Sequence, residues 1–104
     1  MFNINGEDWG VLVVSPSDFR LLRSDGSFTI GVCDDKDKLI YIADDLSDQL
    51  LKKVLCHEIT HAAMFSYNVE LSLDQEELVA DLIATYGQEI IDMTNQLFKK
   101  IKGA

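Results

Sequence analysis

The chain has 104 residues, 18 acidic against 9 basic side chains and a formal charge of −9. That length sets one domain as the ceiling, and the 47% apolar content supplies one modest core and excludes a disordered chain. Acids outnumber bases in both halves, which excludes nucleic acid and anionic membrane surfaces as partners, since these need clustered Lys and Arg.

The start, Met1-Phe-Asn-Ile-Asn-Gly-Glu-Asp8, has neither a basic beginning nor an apolar run, so no signal peptide is expected. No apolar stretch approaches the roughly 20 residues a membrane span needs. Cys33 and Cys56 read as a reduced pair in core segments, and the expected location is cytoplasmic. Trp9–Val14 reads as a short buried strand. Ser15-Pro16-Ser17-Asp18 reads as the start of a short helix carrying Phe19, Leu21 and Leu22, cut off by the turn cluster Ser24–Ser27. Phe28–Cys33 and Leu39–Ala43 are two further strands, and the short charged connection Asp34–Lys38 predicts a hairpin between them.

The remainder is helical. Ser47 is the expected N-cap of a long helix, with Leu46 and Leu51 as a hydrophobic staple, and Asn68 ends it after Ser66 or Tyr67. A second helix begins near Leu73, with Asp74 as cap, Glu77 three residues on and Leu78 as staple partner. Apolar residues at 78, 79, 82, 83, 86, 90, 91, 97, 98 and 101 keep helical spacing to the end, with Gly87 as a close-packing point or slight kink. Lys99, Lys100 and Lys102 suit the end of the helix dipole and Gly103 its stop. Strands followed by helices predict an α+β fold: a small, mainly N-terminal sheet of about three strands packed on two long C-terminal helices, in a single domain spanning 1–104.

His57-Glu58-Ile59-Thr60-His61 lies in the middle of the first long helix. Residues four apart share a face, so both imidazoles can reach one ion about 2.0–2.1 Å from each nitrogen. Glu58 is turned by about 100°, which places its carboxylate beside the ion, where a general base belongs. Residue types and spacing match the H-E-x-x-H pattern of zinc peptidases. A catalytic zinc takes three protein ligands and keeps one open position, and the chain has only these two histidines. Cys56 points about 100° away from His57 and reads as a small buried hydrophobe. A carboxylate is therefore the expected third ligand. Glu77 is favoured, since Asp81 follows one turn on and is placed to accept the second N–H of a ligating His. Glu76 is the rival. On a purely structural reading, Glu77 completes the cap with Asp74 and Asp81 is a solvated side chain.

Cys56-His-Glu-Ile-Thr-His-Ala62 followed by Glu76-Glu-Leu-Val-Ala-Asp81 resembles the gluzincin metallopeptidases, and among them the minigluzincins and the ImmA/IrrE-like and phage-encoded small members. The resemblance covers residues 28–92 in order of elements. It implies hydrolysis of peptide bonds in a peptide or protein substrate by Glu58-assisted attack of zinc-bound water. His57, His61 and Glu77 would be the ligands of one zinc per chain and Asp81 the support of a ligating His. It also implies an edge strand near Leu39–Ala43 that holds substrate backbone. The chain has no room for the second domain of larger gluzincins, which offers a Tyr or His to the oxyanion. Tyr41 and Tyr67 are conceivable donors, Tyr86 is expected in the core, and none is assigned. The alternative is a non-catalytic or latent regulatory or interaction protein with a structural or vestigial zinc site; in a latent variant of the peptidase, the tail Leu97–Ala104 or a second copy covers the site.

Overall fold

Asn5 and Gly6 both adopt positive φ, 50° and 84°, the backbone of a tight two-residue hairpin turn. They join β1 (Phe2–Ile4) to β2 (Glu7–Val14) in antiparallel register, Ile4 opposite Glu7 and Phe2 opposite Trp9. The chain is described here by a computed structural model for residues 1–103. β1 adds a strand to the three expected, so the sheet has four, in the order β1-β2-β4-β3. β3 (Gly31–Asp34) and β4 (Leu39–Ala43) form the predicted hairpin across Asp34–Lys38. The α+β architecture holds: an N-terminal sheet, then α1 (Asp48–Ser66) and α2 (Leu73–Ile101).

β2 runs parallel to β4, Gly10 opposite Leu39 through Val14 opposite Ala43. This pairing corrects the position of the edge. Leu39–Ala43 is the centre of the sheet, flanked by β2 and β3, and the free edges belong to β1 and β3. β4 is accordingly buried on both faces. Ile40 and Ile42 join Trp9, Val54 and Ala62 beneath α1, while Tyr41 and Ala43 pack with Leu21 on the opposite face. Tyr41 is thus on the far side of the sheet from α1.

The short helix expected after Pro16 is a single 3₁₀ turn, Phe19–Leu21, capped by Asp18. Asp18 takes two hydrogen bonds from the Arg20 side chain, at 2.9 and 2.8 Å. These bonds hold its carboxyl down to about 2, and the Arg20 guanidinium lies 4.7 Å from the Tyr41 ring centroid. The turn thereby seats Leu21 against the outer face of β4.

Ser47 caps α1 as expected, accepting from the Leu50 amide at 3.3 Å, and Leu46 and Leu51 both pack on the core. Asn68 leaves the helix at φ 53°, a conformation Asn tolerates better than most residues. The far end of α1 is tied to the sheet: Trp9 Nε1 donates to Ser66 Oγ at 2.8 Å and Asn5 Nδ2 to the Ser66 carbonyl at 2.9 Å.

α2 starts one residue earlier than its expected cap. Ser72 Oγ accepts from the Gln75 amide at 3.2 Å and the Gln75 side chain accepts from the Ser72 amide at 3.0 Å. This reciprocal pair replaces the Asp74–Glu77 cap, and Glu77 is released from any capping duty. Tyr86, expected in the core, is half-exposed.

α2 has 29 residues, about 43 Å at 1.5 Å per residue. Its tail continues the same helix to Ile101, so Leu97 lies about 30 Å along the axis from Glu77, and the described part of the tail does not cover that region. Ala104, the last residue of the tail, lies outside the described residues. Among the described residues no helix is long and apolar enough to cross a membrane. Cys33 and Cys56 are both free and half-buried, and burial pushes the Cys33 thiol up to about 12.

Candidate metal centre

The four-residue spacing on α1 sets the His57 and His61 ring centroids 4.9 Å apart, with the two Nε2 atoms at 3.2 Å. The connection Tyr67–Ser72 turns α2 back antiparallel, and its first full turn delivers a carboxylate to the same point. Glu77 Oε2 is 3.2 Å from His57 Nε2, and Glu77 Oε1 is 2.9 Å from His61 Nε2. His57, His61 and Glu77 form a group that could hold a metal ion. Each of the three residues offers one ligand atom and these atoms lie within 4.8 Å of one another, compact enough for one ion about 2.0–2.1 Å from each.

Hydrogen bonding on the other side of each ring decides what these nitrogens offer. Asp81 Oδ1 lies 3.0 Å from His57 Nδ1, as the sequence led us to expect. Glu76 Oε1 lies 2.8 Å from His61 Nδ1. An ionised carboxylate only accepts, so the one proton of each neutral ring sits on Nδ1. Both Nε2 atoms then present lone pairs toward each other and toward the Glu77 carboxylate. Three acceptors facing one another with no donor between them need positive charge, from ring protons or from a metal ion.

Glu76 is therefore not a rival ligand but the counterpart of Asp81, one carboxylate for each histidine. Sequence reasoning weighed it only for the metal itself. The signal was available, because a second ligating His needs the same support as the first. The two supports differ in setting. The His61 and Glu76 side chains are 9% and 16% exposed, whereas Asp81 beside His57 is 69% exposed.

Glu58 is buried, one residue on from His57 and turned toward β3. Burial pushes its carboxyl above the ordinary range; His57 and His61 oppose the shift and Glu77 adds to it. The contact with β3 depends on Gly31: a Cβ there would lie 2.7 Å from Val54 Cγ1, closer than real side chains come, and 3.0 Å from Glu58 Oε2, so both side chains would have to shift. A cavity of about 290 Å³ joins these groups, with His57, Glu58, Glu77 and Asp81 on the helix side and Thr29–Gly31 on the strand side. No tyrosine lines it among the described residues, so neither Tyr41 nor Tyr67 faces the metal group there. A larger cavity, about 750 Å³, lies between the N-terminal half of α1 and the middle of α2. Cys56 lines that one, with no imidazole or carboxylate among its described lining residues, so His57, Glu58 and Glu77 meet only at the smaller cleft.

Comparison with protein-family models, with curated proteins and with solved structures returns no match. What the chain does must be read from the arrangement of its own side chains.

Proposed function

We propose that this chain is a zinc-dependent peptidase of gluzincin type that hydrolyses peptide bonds in a peptide or protein substrate. One observation carries the reading: His57 and Glu77 of the metal group line the same cleft as the buried Glu58, with His61 buried beside them. Two imidazoles and one carboxylate this close together suit zinc, and three protein ligands with a fourth position facing a cleft is the pattern of catalytic rather than structural sites. Bound there, zinc would polarise the scissile carbonyl and make a water acidic enough to attack at neutral pH.

The chain's own residues supply the rest. Glu58 takes the proton as the water oxygen bonds to the carbonyl carbon, then delivers it to the amine nitrogen as the C–N bond breaks. A carboxyl raised by burial is suited to both halves of that transfer, since it holds and releases a proton closer to neutrality. Asp81 and Glu76 hold the two rings in the required tautomer. The free edge of β3 borders the cleft through Gly31, and an extended peptide added to that edge would lie across Glu58.

Zinc-loaded wild type, Glu58→Gln and His61→Ala, each with metal content measured and a peptide library digested, test the reading. Wild type should cleave with one zinc per chain. Glu58→Gln should keep zinc and lose about 10²–10⁴-fold in rate, and His61→Ala should lose the metal. Cleavage by Glu58→Gln at the wild-type rate would falsify the mechanism. A zinc-loaded wild type that cleaves nothing and refuses a hydroxamate at the metal would favour a closed structural site.

A further inference from the structure

Among the described residues, α2 packs substantially on one element only, α1, and α1 is the shorter helix. The inter-helix cavity is bounded by Gln49 and Lys52 in the first turns of α1 and by Gln88, Ile90 and Ile91 of α2. Residues after 91 therefore run past the start of α1. The apolar stripe does not stop there. At about 100° per residue, Ile83, Ile90, Ile91, Leu97, Phe98 and Ile101 fall within about 120° of the helix circumference, on the strip that farther back carries the buried Ala80. All six are exposed, Ile101 at 82%.

Charge along this overhang is segregated. Its first part carries Glu89 and Asp92 and its last part Lys99, Lys100 and Lys102. A parallel pair of overhangs would set acid on acid and base on base. An antiparallel pair centred at Thr94 brings the acidic first part of each overhang beside the basic last part of the other, with Glu89 level with Lys99 and one residue from Lys100 of the second copy, and symmetry does so twice. The same register sets Phe98 against Ile90, Leu97 against Ile91, and Ile101 over Gly87. Gly87, which lines the larger cavity, has open space beyond its own helix, a Cβ there meeting only Ile83 of the preceding turn at 3.3 Å. The large and small side chains share one register, and the segregated charges agree with it to within one residue.

We propose that the α2 overhang is the self-association surface of this protein: two copies pair antiparallel through Ile83–Ile101, each seating its Ile101 over the other's Gly87 and covering the larger cavity. This inference is independent of the peptidase reading, since it uses no residue of the metal group.

Sedimentation equilibrium of the full chain across the micromolar range tests it, with helicity checked by circular dichroism. The wild type should be a dimer, and Ile90→Asp should raise the dissociation constant at least about tenfold. Glu89→Lys and Lys100→Glu change only exposed side chains, so they keep the test informative if Ile90→Asp fails to fold. Each alone should weaken the dimer by about tenfold, and the two together should restore it. A monomeric wild type overturns the proposal, and it does so equally if that monomer binds anionic vesicles through the same face. A dimer that ignores Ile90→Asp, or single charge changes that the double variant does not rescue, overturns it as well.

Discussion

The two halves of α2 invert the usual rule in opposite ways. Residues 73–84 turn three carboxylates, Glu76, Glu77 and Asp81, toward the histidines of α1 and bury only Ala80. Residues 90–101 carry an unbroken apolar stripe and leave it in solvent. Polar groups drawn together on one half and apolar groups left uncovered on the other both mark something the isolated chain does not satisfy. The first half lacks positive charge at one point; the second lacks apolar surface along a line. One helix thus carries the metal group near its start and the proposed interface beyond it, and substitutions as far apart as Glu77 and Leu97, about 30 Å along the axis, act on one without the other.

The strongest way to break this contrast is at the carboxylates behind the histidines. Glu76→Gln and Asp81→Asn should each weaken zinc binding by about 10–100-fold in chelator competition, with no change in self-association. Glu76→Gln should cost more, because its bond to His61 is shielded from solvent while Asp81 is largely exposed. Equal and negligible losses would show that the polar half of α2 is an ordinary charged helix face.

A smaller effect sharpens the claim that the polar half is costly without a cation. Glu58 is an acid whose folded pKa lies above its unfolded value through burial. Between those two values the folded chain binds more protons than the unfolded one, so the stability of the metal-free protein falls as pH rises through that window. Glu58→Gln removes the ionisation. At neutral pH it should raise the thermal midpoint of the metal-free protein by a few degrees, on the order of a 1 kcal/mol change for a domain of this size. The gain over wild type should shrink as pH drops below the ordinary carboxylate range. A gain that grows on acidification would show that Glu58 is stabilised, not strained, by its surroundings.

Local signals in the sequence carried most of this far. The helix pair, the β3–β4 hairpin and the His57–Glu58–His61 face follow from caps, turns and periodicity within about ten residues. What escaped depended on partners distant in the chain. β1 was lost although Asn5-Gly6 is a strong hairpin signal, because three residues form too short a strand to stand out. The edge position of β4 came from the family resemblance alone, and nothing local to Leu39–Ala43 records that Val11–Val14 pairs beside it. The Ser72–Gln75 cap competed with an equally plausible Asp74–Glu77 pair, and the serine hydroxyl prevailed two residues earlier. Gly31 gave no sign that it marks the closest approach of β3 to α1. Tyr86 was assigned to the core on helical phase, but phase says only which face a residue occupies, not whether anything covers it.

That last distinction sets the smallest prediction. Leu97 has the phase of a core residue and no cover within its own chain, being 57% exposed. Leu97→Gln should therefore change the stability of the monomer, measured by urea unfolding below the dissociation constant, by no more than about 0.5 kcal/mol. Above it, unfolding is linked to dissociation, and the same substitution should lower the midpoint by an amount that grows with protein concentration. A large loss that is independent of concentration would mean that the overhang folds back on its own chain in solution, and the contrast between the two halves of α2 would then be one of degree.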